Sequence, residues 1–466
     1  MQRTSDEGRV STPTFGQVLA IALPQMGLML CHLGISMTDL WVAGRIDPAV
    51  LASLGIVSQV FMLFMLITSV AGSGALASVS QALGAGLPMR ARRYAGLILM
   101  LALCSGSAVG FLGYCALPLI LAALRVPEEL LPVVRVFVSV YCLNLPFYYT
   151  LILMNSIFRA YKLVRLPFAT FLLVFTVNLV GSVGFGLGYW GLPACGYAGV
   201  AWSTFASTIL GLVCSFTAIR RHGIIGRGSF APWRWNIRAV PYLLKVGVPS
   251  AAGQLVEHGG RLVMVTFVTT LPGAVDIMAG MTLGMRVQSV LMFPLGAVSL
   301  TMAIFSGHLL GARQEEVLAR FARNAALSSA CIFAVFALGL FCFREEAAAF
   351  IAPRPDVVRH AAYYLSFSCI GIPLIACTAA LNGLFSGAGA TMLMLVAGVA
   401  SMWGVQVPLG WYLSHILGWG ERGVFMSILS AEFVYAGAAL FFFYSGKWRM
   451  FGTRKRKKIV PGAAHA

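Results

Sequence analysis

Asp39 is an acid inside the first apolar run of the chain, which begins at Phe15. An ionisable group at the centre of a membrane span costs roughly 2.5–3.5 kcal/mol on insertion scales, so a partner, a water-filled cavity or a function must offset it. A carboxylate so placed can bind a proton or a cation; the plainer reading is an outer-end cap or an interfacial residue. Asp39 follows Pro24 by 15 residues, which is about 22 Å along a helix and toward its far end. Pro24 bends that helix, so a change of charge at Asp39 is able to bias two helix shapes. Glu257 is a second candidate, with His258 beside it and Arg261 four residues on. That spacing puts acid and base on one helix face, either as a structural ion pair or as a carboxylate facing a central cavity. Asn178, in VNLVGS, can offer a carbonyl oxygen to a cation or hold two helices together. Arg286 and Glu432 read as packing or pairing residues.

The elements that must position these groups are membrane helices. The chain has 466 residues, 59% hydrophobic and 10% charged, against about 25% charged in a soluble domain. Apolar stretches recur at the length of about 20 residues that crosses a roughly 30 Å hydrocarbon core. The alternation of a membrane β-barrel is absent. The expected fold class is all-α: a polytopic membrane protein of twelve transmembrane helices in two six-helix repeats around a central cleft. The spans fall near 15–43, 50–83, 94–124, 132–158, 166–190, 196–220, 241–271, 277–310, 320–343, 357–386, 391–417 and 422–446. No cleavable leader is expected, because the first apolar run is long enough to span. The ten cysteines form no CxxC pair and no cluster with His, and read as small apolar packing residues.

A tandem duplication organises the spans. Pro24 is answered by Pro249, Gln81–Ala85 (QALGA) by His308–Ala312 (HLLGA), Pro146 by Pro373, Asn155 by Asn382 and Phe158 by Phe385, at offsets of 225 to 227 residues. Parallel repeats related by an axis along the membrane normal are a recurring plan for secondary transporters, with the substrate site at the repeat interface. The acids break the repeat: Asp39 is matched by Met264 and Glu257 by His32. Coupling is therefore expected to be specialised in one half, the N-terminal one. The domain expectation is a 1–14 N-terminal segment, an N-lobe at 15–220, a linker at 221–240, a C-lobe at 241–446 and a basic tail at 447–466.

Charge sets orientation. Loops after even-numbered spans carry Arg90, Arg92 and Arg93, then Arg159, Lys162 and Arg165, then Arg220, Arg221, Arg227, Arg234, Arg238 and Lys245, then Arg313, Arg320 and Arg323. The tail adds RKRKK at 454–458. The positive-inside rule places this side and both termini in the cytoplasm, as a multi-pass protein of the cytoplasmic (inner) membrane. Topology thus accounts for the net charge of +18 without nucleic acid. The tail is placed to touch anionic membrane lipids, and Trp233 and Trp235 read as interfacial anchors of the linker.

These residues carry a family resemblance. Pro24 with DLWVAG at 39–44, LASLG at 51–55, LGAGLPMRARRYA at 83–95, FRAYKLVRLP at 158–167, GYAGVAWST at 196–204, VPSAAGQLVE at 248–257 and LLGARQEEVLARFA at 309–322 together resemble the multidrug and toxic compound extrusion (MATE) family across nearly all of residues 15–446. The resemblance implies two six-helix bundles facing across a cleft, rocking to export organic, often cationic, drugs or toxins in exchange for sodium ions or protons. No cofactor beyond the coupling ion, H⁺ or Na⁺, is implied, and the expected assembly is a monomer. Asp39 matches the family's acidic residue of span one. Asn178 and Thr204 match the span-five Asn and span-six hydroxyl of the same site, where Na⁺ would rest on Asp39 and Asn178. Glu257 matches the span-seven Glu of the bacterial multidrug branch. Two acids are replaced: Ser182 stands where some members have a second acid one turn after the span-five Asn, and Ile375 where the bacterial multidrug branch has one in span ten. In the implied cycle an ion from outside neutralises Asp39, and spans one, five and six repack to expel the drug.

Three rivals are weaker. A lipid or oligosaccharide flippase of the same superfamily would want a strongly cationic cleft, and the spans hold few basic residues. An intramembrane enzyme would need a catalytic pair or metal cluster, so no enzyme is expected. A passive channel fits isolated acids and a broken-helix duplication less well than an exchanger does.

Overall fold

The structure is a computed structural model that describes residues 13–123, 126–226, 228–351 and 354–452. Most of the expected N-terminal segment, Arg227 and the basic run at 454–458 lie outside the described residues. Among the described residues there are helices and no strand. The twelve long helices are α1 (Phe15–Ile46), α2 (Pro48–Gly84), α3 (Pro88–Cys115), α4 (Leu131–Ala160), α5 (Arg165–Leu187), α6 (Gly196–Arg221), α7 (Trp233–Thr269), α8 (Ala274–Gly311), α9 (Glu315–Cys342), α10 (Pro355–Ala388), α11 (Thr391–Ile416) and α12 (Glu421–Tyr444). Two short helices, Leu117–Ala123 and Arg344–Ile351, follow α3 and α9 at equivalent points of the repeat.

Helix is the way a lipid-facing chain keeps its backbone groups paired. Prolines punctuate it in two ways. Pro48, Pro88 and Pro355 open α2, α3 and α10, where a missing N–H is harmless. Pro24, Pro146, Pro249 and Pro373 sit inside α1, α4, α7 and α10, and each removes one backbone hydrogen bond and loosens its helix. Asp47 alone separates α1 from α2, and its carboxylate accepts from Ala49 N at 2.7 Å.

By length and composition, eleven of these helices are apolar enough to cross a membrane. α7 falls short because Arg234, Arg238, Lys245, Glu257 and Arg261 dilute it. It also starts at Trp233, inside the stretch expected to be linker. Trp233 is exposed, as an anchor should be. Trp235 is not free to anchor: its ring stands edge-on to Tyr94 of α3, centroids 5.1 Å apart.

The two repeats meet around a pseudo-two-fold axis where α2 crosses α8. Gly84 abuts the backbone carbonyl of His308, and its repeat partner Gly311 abuts the carbonyl of Gln81. A methyl group at either glycine would overlap the opposing backbone, so glycine is required for this close approach. Higher on the same interface Ser73 and Ser250 share a hydrogen bond of 2.7 Å, and Gln25 Nε2 donates to Thr301 Oγ1 at 3.3 Å. At the end bearing the basic loops one apolar core runs through both lobes, from Ala82 and Phe158 to Leu309 and Phe385. Toward the opposite end each lobe keeps its own core, around Phe137 and Val200 in one and around Met264 and Phe425 in the other. The cleft is therefore floored at the basic end and divided at the other.

Candidate functional site

The N-lobe gathers its polar groups where α1, α5 and α6 pack. Asp39 is buried seven residues before the end of α1. Ser182 of α5, fully buried, donates its hydroxyl to Asp39 Oδ1 at 3.2 Å. The side chains of Asn178 and Thr204 interact with the same carboxylate. Asn178 lies one turn before Ser182, so both face α1. Its Nδ2 donates to Thr204 Oγ1 at 3.0 Å, and Thr204 in turn donates to the Val200 carbonyl at 3.2 Å. Asn178 is fully buried, and its Oδ1 has no hydrogen-bond partner among the described residues. Tyr141 of α4 closes the group, interacting with Thr204 and Asp39 while its ring packs on Phe61 at 5.3 Å.

This donor set is all oxygen: one carboxylate, one amide carbonyl unpaired among the described residues, the Ser182 and Thr204 hydroxyls and the Tyr141 phenol. Small hard cations take such ligands, and a proton needs only the carboxylate. The orphaned Asn178 oxygen is the group that a sodium ion, as cargo, would satisfy. Three residues expected here thus come together, Asp39, Asn178 and Thr204. Ser182, met in the sequence only as a missing acid, supplies the donor to the carboxylate. Tyr141 was not foreseen; its place on an apolar helix carried no signal.

Glu257 does not join this group. It lies in the C-lobe, paired with Arg261, and the pair is about half exposed, with side chains 57% and 48% accessible. Its repeat counterpart His32 packs against the Phe171 ring at 4.3 Å and meets no acid there. Glu257 lines a cavity of about 400 Å³ among α7, α10, α11 and α12. Glu432 of α12, expected to pack or to pair, lines the same cavity and makes no ion pair among the described residues. Ile375, where the family pattern expects an acid, is on the wall. Tyr435 donates to Asn382 Oδ1 at 2.8 Å beside it. α11 reaches this cavity through a π-helical turn, Met402–Gln406, a device that recurs at functional sites. Gly404 and Pro408 mark the irregularity in the sequence but do not specify its form. Arg286 is exposed and unpaired among the described residues.

Two six-helix repeats, a shared floor, a buried polar cluster in the N-lobe and a cavity in the C-lobe define a duplicated membrane transporter. The MatE family model matches residues 24–183 and again 249–412, and the chain belongs to that family. The chain is 22% identical over 444 residues to a probable multidrug resistance protein NorM of Thermotoga maritima, covering 95% of each. It is 25% identical to the multidrug resistance protein PmpM of Pseudomonas aeruginosa, over 89% of this chain and 87% of that one. In fold it is similar to the Vibrio cholerae MATE transporter VcmN in its bent form, with a TM-score of 0.86 at 17% identity over 94% and 98% of the two chains. An outward-facing multidrug resistance MATE transporter gives a TM-score of 0.83 at 18% identity over 92% and 95%.

Proposed function

We propose that this protein is a secondary antiporter. It exports organic, often cationic, drugs or toxins in exchange for protons or sodium ions by alternating access. It works as a monomer in the cytoplasmic membrane, with the basic loops and both termini inside. Relatives named for multidrug resistance support the substrate class. The observation that carries the coupling reading is the buried Asp39 carboxylate, held by Ser182 and bordered by the unpaired oxygen of Asn178.

The cycle follows from that geometry. With the cleft divided on the outer side, an ion reaches Asp39 and neutralises it. The hydroxyl and amide groups of α5 and α6 lose the anion that oriented them, and α1, already loosened at Pro24, repacks against them. Exchange requires that ion and drug differ in affinity for the two states. The carrier is not an enzyme: its residues bind and release and make no bonds.

Dye efflux from everted vesicles under an imposed pH or Na⁺ gradient tests the reading, with Asp39→Asn and Glu257→Gln alongside. Wild-type efflux lost in Asp39→Asn is expected. Undiminished efflux in that variant would sink the coupling role of Asp39. No efflux of any organic cation tried would favour a lipid or oligosaccharide flippase instead.

A further inference from the structure

We propose that Glu432, rather than Glu257, is the charged recognition group of an organic-cation site in the C-lobe cavity, with Gln406 as its neutral partner. The inference rests on the substrate class proposed above and adds a place and residues to it.

The cavity's charge balance singles out Glu432. Glu257 is neutralised by Arg261 on its own helix, whereas Glu432 has no ion pair or hydrogen bond among the described residues. The cavity therefore holds one carboxyl group without a basic partner among the described residues, Glu432. A carboxylate shielded from bulk water, without a protein cation, is a site that an external cation stabilises.

Gln406 is an independent observation pointing the same way. The residue is 8% exposed, lines this cavity and makes no side-chain hydrogen bond among the described residues. The π-helical turn that ends at Gln406 sets this side chain apart from the regular face of α11, and its amide is open to the cavity. An amide carbonyl beside a carboxylate suits a cation that carries N–H groups: one oxygen takes the charge and the other takes a hydrogen bond.

Size then selects the class of ligand. About 400 Å³ falls in the range of small-molecule pockets, roughly 300–1,000 Å³, and exceeds what a proton or bare metal ion requires. The remaining walls include Ile375, Met394 and Met402, apolar and, at the methionines, adaptable to flat or irregular bodies. The ligand is thus an organic cation with an apolar body and at least one N–H donor.

Ethidium, a planar cation with two amino groups, is the probe. Its binding to the purified full-length protein is measured by fluorescence anisotropy for wild type, Glu432→Gln, Gln406→Leu and Glu346→Gln, the last an exposed acid away from the cavity. At least tenfold weaker binding in Glu432→Gln, a smaller loss in Gln406→Leu and no change in Glu346→Gln are expected. A second measurement needs no variant: dicyclohexylcarbodiimide should label Glu432 in the wild type, and ethidium should protect it. Ethidium binding that Glu432→Gln leaves intact, or labelling that ethidium does not reduce, would overturn the site and leave the transporter reading standing. Failure of the wild type to bind ethidium would overturn the substrate reading and this site together.

Discussion

The hydroxyl of Ser182 donates to Asp39 Oδ1 at 3.2 Å, at the position where the family pattern expects a second acid. A carboxylate there would repel Asp39; a hydroxyl supports it. The polar cluster of α1, α5 and α6 thus holds the Asp39 carboxylate with a hydroxyl donor aimed at it. Hydrogen bonds to charged groups contribute about 1.5–3 kcal/mol. Ser182→Ala destabilises the charged state by that order, and gradient-driven ethidium efflux is expected to fall about tenfold, since about 1.4 kcal/mol is a factor of ten. Initial efflux rates in everted vesicles check this; wild-type rates would show the hydroxyl to be dispensable.

The unpaired Asn178 oxygen separates the two candidate ions. If sodium rests on Asp39 and Asn178, the folded protein gains stability by mass action, about 2.7 kcal/mol at a hundredfold excess over Kd. The melting temperature in detergent should then climb with Na⁺ and not with K⁺, and Asn178→Leu should abolish the rise. A wild-type melting curve indifferent to Na⁺ would assign coupling to the proton.

The crossing of Gly84 and Gly311 with the carbonyls of His308 and Gln81 yields a conformational prediction. His308 Nε2 also donates to the Ala160 carbonyl at 2.8 Å, and Lys162 lies 5.1 Å from the Phe305 ring, so several contacts between the lobes seal the basic end. Gly84→Val puts a branched side chain into a backbone carbonyl and should wedge that end apart. Spin labels at Arg92 and Arg320, one per lobe, should move apart relative to the same labels on Gly84, and efflux should drop at least tenfold. An unchanged label distance would mean that the crossing does not hold the floor shut.

Much of this was legible because it depends on period and composition. Twelve apolar runs, the repeat offset and Asp39 itself all stand out in a chain with so few charges. The Gly84 and Gly311 pair was visible as a repeat and not as a contact, since nothing in QALG and HLLG says that the two helices cross there. Matching residues also diverge in their surroundings: Asn382 receives the Tyr435 hydroxyl, whereas Asn155 keeps an unpaired Oδ1. Whether Glu432 packs or pairs was left open by the sequence because pairing is a property of neighbours in space, and its neighbours in the cavity come from α7, α10 and α11. Gln406 gave no signal, because a single Gln in an apolar helix has as its plainest reading a helix–helix hydrogen bond.

Arg261 offers a prediction with an opposite sign to the losses above. Its bond to Glu257 joins two half-exposed side chains on one helix face, and exposed i,i+4 pairs contribute about 0.3–0.5 kcal/mol. Arg261→Gln should therefore leave the melting temperature nearly unchanged. Its electrostatic effect is larger, because Glu257 loses its counter-charge and the C-lobe cavity then carries two uncompensated carboxylates, Glu257 and Glu432. Attraction for an organic cation rises, and ethidium should bind severalfold more tightly to Arg261→Gln than to the wild type. Because a more tightly held substrate leaves more slowly, the same variant should efflux ethidium more slowly at saturating dye. Anisotropy titrations and efflux rates on one preparation measure both quantities, and weaker binding in Arg261→Gln would show that the guanidinium helps to build the pocket and does not merely neutralise its acid.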